Sequence, residues 1–235
     1  MTRLRKFESV VGENWVVGRY LLPALEKLGR THTGVVLDLA CGESPFRKCF
    51  PYARQYLRVD HDPLDAEVIR GDMRCVPLPD RSADAVLLCQ AITDVPDPTA
   101  VLREVRRLLR AEGVVIVFES MCYPEHDAPH DYFRLMPEGL RAVADTVGLQ
   151  VRECMRLGGL FTRFASLWNT CLMGGLMRYR ALRPIGLLGV AAGNVLCYAL
   201  DRTVPHPRLA SDYLAVLAPR DVALDLDSPT AGSDN

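Results

Sequence analysis

The run Val35-Val36-Leu37-Asp38-Leu39-Ala40 carries one polar residue, so a strand built from it is apolar on both faces and has to lie in a sheet covered front and back. Short runs of the same kind recur. Tyr56 to Asp60, Val68 to Arg70, Ala83 to Cys89 and Val114 to Phe118 read as strands, with Leu149 to Met155 and Tyr213 to Leu217 as the last two. Between them lie helical patterns. Asp97-Pro98 opens one with Val101, Leu102, Val105, Leu108 and Leu109 on one face and Gly113 as its end; Pro137 to Val147, closed by Gly148, is another. Phe7 to Leu28 reads as two short helices, because Gly12, Gly18 and Pro23 interrupt its apolar spacing. Strands alternating with helices predict an α/β domain around a mainly parallel sheet.

Composition narrows the function classes. The 28 basic and 29 acidic residues leave a net charge of −1, without the basic excess that binding nucleic-acid phosphates requires. Hydrophobic residues make up 49% of the 235, which excludes wholesale disorder. The eight cysteines form no CxxC pair and read as free, mostly buried thiols of a cytosolic protein, and no apolar run after the basic start Met1 to Lys6 carries a secretion signal.

The loop leaving the first strand, Asp38-Leu39-Ala40-Cys41-Gly42-Glu43-Ser44-Pro45, is small at Ala40, Gly42 and Ser44, as a backbone that must approach a ligand closely requires. Asp60 ends the second strand, where a carboxylate can take both hydroxyls of a ribose. With one glycine, the loop lacks the GxGxxG that seats a dinucleotide pyrophosphate.

This combination, with Gly71-Asp72-Met73, Asp84-Ala85-Val86 and Leu108-Leu109-Arg110-Ala111-Glu112-Gly113 following in order, resembles the class I S-adenosylmethionine-dependent methyltransferases of type 11. The resemblance implies a Rossmann-like seven-stranded sheet with helices on both faces, and S-adenosyl-L-methionine as donor with S-adenosyl-L-homocysteine as product. It also implies a donor site of Asp38, Ala40, Cys41, Gly42, Ser44, Asp60, His61, Asp72, Met73 and Gln90. Ala40 and Ser44 stand where the family often has glycine. Asp94 stands where it commonly has histidine after the fourth strand.

A base is needed only when the methyl acceptor must lose a proton. The loop after the fifth strand, Glu119 to Arg134, supplies His126, His130 and Asp131 as catalytic candidates, against the alternative that His130, Asp131 and Arg134 only fix the loop. No metal is expected, since Pro129 keeps the two histidines off one helix face. Trp15 and Tyr20 are candidates for roofing the pocket or for plain packing.

The resemblance also pairs the last two strands as an antiparallel hairpin, which makes the apolar stretch between them an insertion. The predicted layout is an N-terminal helical cap over 1–33, a donor-binding core over 34–157 and 206–218, the insertion over 158–205 and a disordered tail over 219–235. Pro184 to Leu200 carries no charge, while Arg163, Arg178, Arg180, Arg183 and Arg202 flank the apolar stretches. Three readings of the insertion stay open: a lid lining an acceptor pocket, a homodimer interface, or a peripheral membrane contact. All three favour a lipophilic or amphipathic small-molecule acceptor, in specialised or lipid-linked metabolism, and a cytoplasmic chain with membrane association as an alternative. The competing functions are a donor-binding protein that catalyses a cyclisation or rearrangement without methylation, and a non-catalytic partner protein.

Overall fold

The computed structural model describes residues 3–125, 128–204 and 207–220. Seven strands form one sheet: β1 (Val35–Leu39), β2 (Gln55–Asp60), β3 (Ile69–Arg70), β4 (Ala83–Cys89), β5 (Leu109–Ser120), β6 (Leu149–Leu157) and β7 (Asp212–Pro219), in the order β3-β2-β1-β4-β5-β7-β6. The first five run parallel. β7 is antiparallel to β6, as the resemblance implied, and also to β5. The strand order reverses between β1 and β4, and ligands of such sheets bind beyond the carboxyl ends at that reversal.

Both faces are covered. Leu37, Leu39, Val86 and Val115 pack under α3 (Pro98–Leu108) and α4 (Pro137–Thr146), while Val36, Leu87 and Ile116 pack against Leu21 and Leu25 of α2 (Trp15–Gly29). The predicted cap of α3 is present: Asp97 accepts from the Ala100 amide at 3.1 Å. Gly148 closes α4 with a φ of +73°.

Three boundaries differ from expectation. α2 is one helix running through Gly18 and Pro23, preceded by the short α1 (Arg3–Glu8). Burial of Leu21 and Leu25 against the sheet outweighs the hydrogen bond that Pro23 removes. β5 begins where α3 stops, so Gly113 lies inside a strand instead of ending a helix; a Cβ there would sit 3.2 Å from the Ala83 carbonyl oxygen. Pro219 belongs to β7, paired with Leu149, and is not the start of a tail. The tail expected beyond it, from residue 221 on, lies outside the described residues.

The insertion folds as α5 (Leu160–Gly174), two 3-10 turns at Leu176–Arg178 and Arg180–Leu182, and α6 (Arg183–Thr203). α5 lies on the glycine stripe of α6. A Cβ at Gly186 or Gly193 would collide with Met177 or Trp168, at 2.4 and 2.7 Å. Asp201, near the end of α6, caps the start of α5 by accepting from the Phe161 and Thr162 amides, each at 2.8 Å. Two buried amides dock the pair on the N-terminal segment. Asn169 donates to the Glu13 carbonyl at 2.8 Å, and Asn194 donates to the carbonyls of Val10 and Gly12 at 2.8 and 3.0 Å. Trp15 and Tyr20 pack against Tyr198 of α6, with ring centroids 5.7 and 5.6 Å away, so they join α2 to the hairpin.

Candidate active site

At the carboxyl end of β1 the chain alternates into left-handed backbone, with φ of +54° at Ala40, +51° at Gly42 and +48° at Ser44. For Ala40 and Ser44 that conformation costs on the order of 1 kcal/mol or more, and it persists because neighbours over-determine it. The Cys41 amide donates to the Val59 carbonyl at 3.2 Å, and the Ser44 amide to the Cys41 carbonyl at 2.7 Å. The Gly42 amide donates to Asp60 Oδ2 at 2.8 Å, which ties the loop to the end of β2.

Asp38 is buried beneath this loop. Its Oδ2 accepts from Ser44 Oγ and the Tyr56 hydroxyl, both at 2.8 Å. Burial pushes its carboxyl up to about 6, against the pull of those two donors. Next to β1, the chain leaving β4 turns at Gln90 with a φ of +52°. Beneath that turn Glu119 accepts from the Ala91 and Ile92 amides, at 3.0 and 3.2 Å, and from Thr93 Oγ1 at 3.1 Å. Burial pushes Glu119 up to about 8.

Between the two turns lies a cavity of about 330 Å³. Asp38, Ala40 and Cys41 line one side and Cys89, Gln90 and Asp94 another. Over it sit Lys6, Glu13, Asn14 and Tyr123. Lys6 pairs with Glu13 at 2.5 Å, and Asn14 shares a side-chain hydrogen bond with Tyr123. Desolvation holds the Cys89 thiol well above its ordinary range, so it stays a neutral wall.

The remaining residues of the expected donor site follow along the carboxyl edge. Asp60 also accepts from the Asp62 amide at 2.9 Å and faces His61 Nδ1 at 3.4 Å, with the His61 ring exposed. Asp72 accepts from the Arg74 amide at 2.8 Å and is paired with its guanidinium, which holds the Asp72 carboxyl below its ordinary range. Met73 packs on the core.

Of the three catalytic candidates, His130 and Asp131 fall within the described residues. His126 lies outside the described residues, and His130 is exposed and does not line the cavity. Asp131 is paired with Arg134, whose guanidinium donates to the Tyr123 and Pro124 carbonyls at 2.9 and 3.0 Å. That pair holds Tyr123 over the cavity. Among the described residues none of the hairpin lines it either, and the insertion is joined to the cavity roof through the segment Val10 to Asn14. Polar cavity residues outside the expected site are Lys6, Glu13, Asn14, Asp94 and Tyr123, and the walls Phe7, Pro45, Phe46 and Cys89 were outside it too. Asp94 left a trace as the residue standing where histidine is common, and Pro45 and Tyr123 lie in the two loops that the sequence marked.

These groups fit S-adenosylmethionine. A buried carboxylate under a close-approach loop suits an ammonium, and an acid at the next strand end suits ribose hydroxyls. A family profile described as a methyltransferase domain matches residues 37–117. Fold, site and profile point the same way: over residues 37–117 the chain is similar to the methyltransferase-domain family, whose donor is S-adenosylmethionine. Among curated proteins it is similar to the malonyl-[acyl-carrier protein] O-methyltransferase of Yersinia pestis, 31% identical over 144 residues, which is 54% of this chain. The chain spans about half the length of that relative, 51%. Among solved structures it resembles the PH0226 protein of Pyrococcus horikoshii OT3 (TM-score 0.55, 16% identity, 92% of this chain and 95% of that one). It also resembles the [4+2]-cyclase SpnF (TM-score 0.54, 16% identity, 83% of this chain and 80% of that one). At such identities these two likenesses show the fold alone.

Proposed function

We propose that this chain transfers the methyl group of S-adenosylmethionine to an amphipathic small molecule of lipid-linked or specialised metabolism. The observation that carries the acceptor class is the hanging of the cavity roof on the apolar hairpin. Glu13 and Asn14 cover the cavity, and the segment that holds them is bonded through Asn169 and Asn194 to helices whose outer face is apolar. The O-methyltransferase named above acts, by its name, on a malonyl group held on a carrier, which supports an acyl-type acceptor here.

When bound, the donor supplies an electrophilic methyl group on a sulfonium centre. Asp38 would hold its ammonium and Asp60, at the next strand end, its ribose, while the Ala40 to Ser44 loop would let the backbone come close. Phe7, Phe46 and Tyr123 limit water on the far wall. A carboxylate acceptor needs no base. For a hydroxyl acceptor we assign the proton to Asp94, which lies on the cavity wall near Gln90.

The test is donor turnover. Purified protein given methyl-labelled donor and an organic extract of cells is expected to form S-adenosylhomocysteine and put label into an extractable product. Donor binding without any S-adenosylhomocysteine formed would instead favour the cyclisation reading.

A further inference from the structure

The hairpin turns its polar residues inward and its apolar residues outward. Thr162, Asn169, Asn194 and Asp201 are buried against the domain or each other, whereas α6 exposes Ile185, Leu188, Ala192, Val195, Leu196 and Ala199 along one stripe. Leu188 is 71% exposed, a value that belongs to a surface residue and not to a core helix. α5 adds Phe164, Leu167 and Trp168, and the Trp168 indole donates to the Gly189 carbonyl at 3.1 Å, which joins the two stripes into one face. From Arg180 to Thr203 the segment is apolar enough for a membrane helix, with a mean hydropathy of 1.4 over its most apolar window and only 22% of that window buried.

We propose that this face seats the protein on a bilayer surface rich in anionic headgroups, with α5 and α6 lying in the interface plane. Charge decides for that occupant. Over residues 158–204 the basic residues are Arg163, Arg178, Arg180, Arg183 and Arg202, and the single acid, Asp201, is buried in the α5 cap. Arg178, Arg180 and Arg183 are exposed at the turn, and Arg202 is exposed near the far end of α6, where it stacks on Tyr198, so every exposed charge that the hairpin itself carries is cationic. A second copy docking through a two-fold axis would set this charge against itself, cation to cation. Anionic headgroups neutralise it while the apolar stripe enters the acyl boundary, and Trp168 and Tyr179 are the residue types that sit at that depth. Spanning is excluded by the docking amides. A crossing helix would carry Asn194 and Asp201 into hydrocarbon, and the chain still has to return to β7 within the sheet.

The proposal goes beyond the acceptor reading and is tested without turnover, so either can fail alone. The full chain is sedimented with phosphatidylcholine vesicles and with phosphatidylcholine vesicles containing phosphatidylglycerol, at low and high salt. The wild type is expected to pellet with the anionic vesicles, less so at high salt, with a blue shift of tryptophan emission that Trp168→Phe removes. Leu188→Asn with Leu196→Asn is expected to lower the bound fraction roughly tenfold or more. Arg178→Gln, Arg180→Gln and Arg183→Gln together, on an exposed turn that carries no core contact, should abolish the preference for anionic vesicles. Unchanged donor affinity in calorimetry shows that each variant is folded. A wild type that stays in the supernatant with both vesicles overturns the proposal, as does a leucine variant that pellets undiminished. A stable dimer that the leucine substitutions dissociate would overturn it in favour of a second copy.

Discussion

Asp60 holds two backbone amides, Gly42 on Oδ2 and Asp62 on Oδ1, and in the proposed donor site it would also take the ribose. Removing it frees the loop and deletes the sugar's acceptor. Asp60→Ala should therefore weaken donor binding by roughly 10- to 100-fold, the cost of a hydrogen bond to a charged group, as read by titration calorimetry. Asp60→Asn retains an oxygen for the Gly42 amide and should lose less; donor affinity unchanged in the alanine variant would remove Asp60 from the ribose site. The positions of Asp38, Gly42 and Asp60 at the strand ends and in the tight loop were legible in the sequence because a small-residue loop after an apolar strand marks a sharp turn there. Left-handed backbone at Ala40 and Ser44 was not legible, since smallness permits that conformation without requiring it. Nor was the role of Asp131, which depends on finding Arg134 beside it and two loop carbonyls beyond. Lys6, Glu13 and Asn14 reach the cavity only because the N-terminal segment folds back over the sheet.

At the scale of elements, a 3.6-residue period marks a helix but not which way its apolar stripe faces. The sequence of α6 showed an uncharged run and the flanking arginines, yet its exposed face became visible only when Asn194 and Asp201 were found inward. The α3 to β5 junction was misread for a related reason: Gly113 signals a backbone constraint, and a helix end and a close strand approach leave the same mark. The hairpin stands largely on its cap. Asp201 satisfies two of the first amides of α5 and the Thr162 hydroxyl, so Asp201→Ala should destabilise the hairpin by about 1–2 kcal/mol. Hydrogen exchange should show lost protection at Phe161 and Thr162 while the amides of β1 and β4 remain as they were. Equal loss across the sheet would mean that the hairpin and the core unfold as one unit.

For the whole molecule, the titration of its buried acids sets how stability depends on pH. Asp38 and Asp212 are pushed up to about 6 and Glu119 to about 8, all chiefly by burial. Each keeps its proton in the fold after the unfolded chain has released it near pH 4, so stability falls as pH rises from there through the raised value. The ion-paired Asp72 and Glu104, held below their ordinary range, act in the opposite sense and cost stability only as the pH drops through the acid range. His32, lowered by burial, adds stability as pH rises to about 6.5 and then stops. The thiols of Cys41 and Cys49, pushed up to about 12 and about 11, begin to matter only above about pH 8, where unfolded thiols ionise. Between about pH 6.5 and 8, then, Glu119 alone of these groups still changes its contribution. The unfolding free energy from urea titrations should fall there by on the order of 1 kcal/mol per pH unit. In Glu119→Gln, which keeps an oxygen for the Ala91 and Ile92 amides and has no proton to lose, it should be level. A wild type as level as the variant would place an ionised Glu119 in the fold, held by its three donors against the cost of burial.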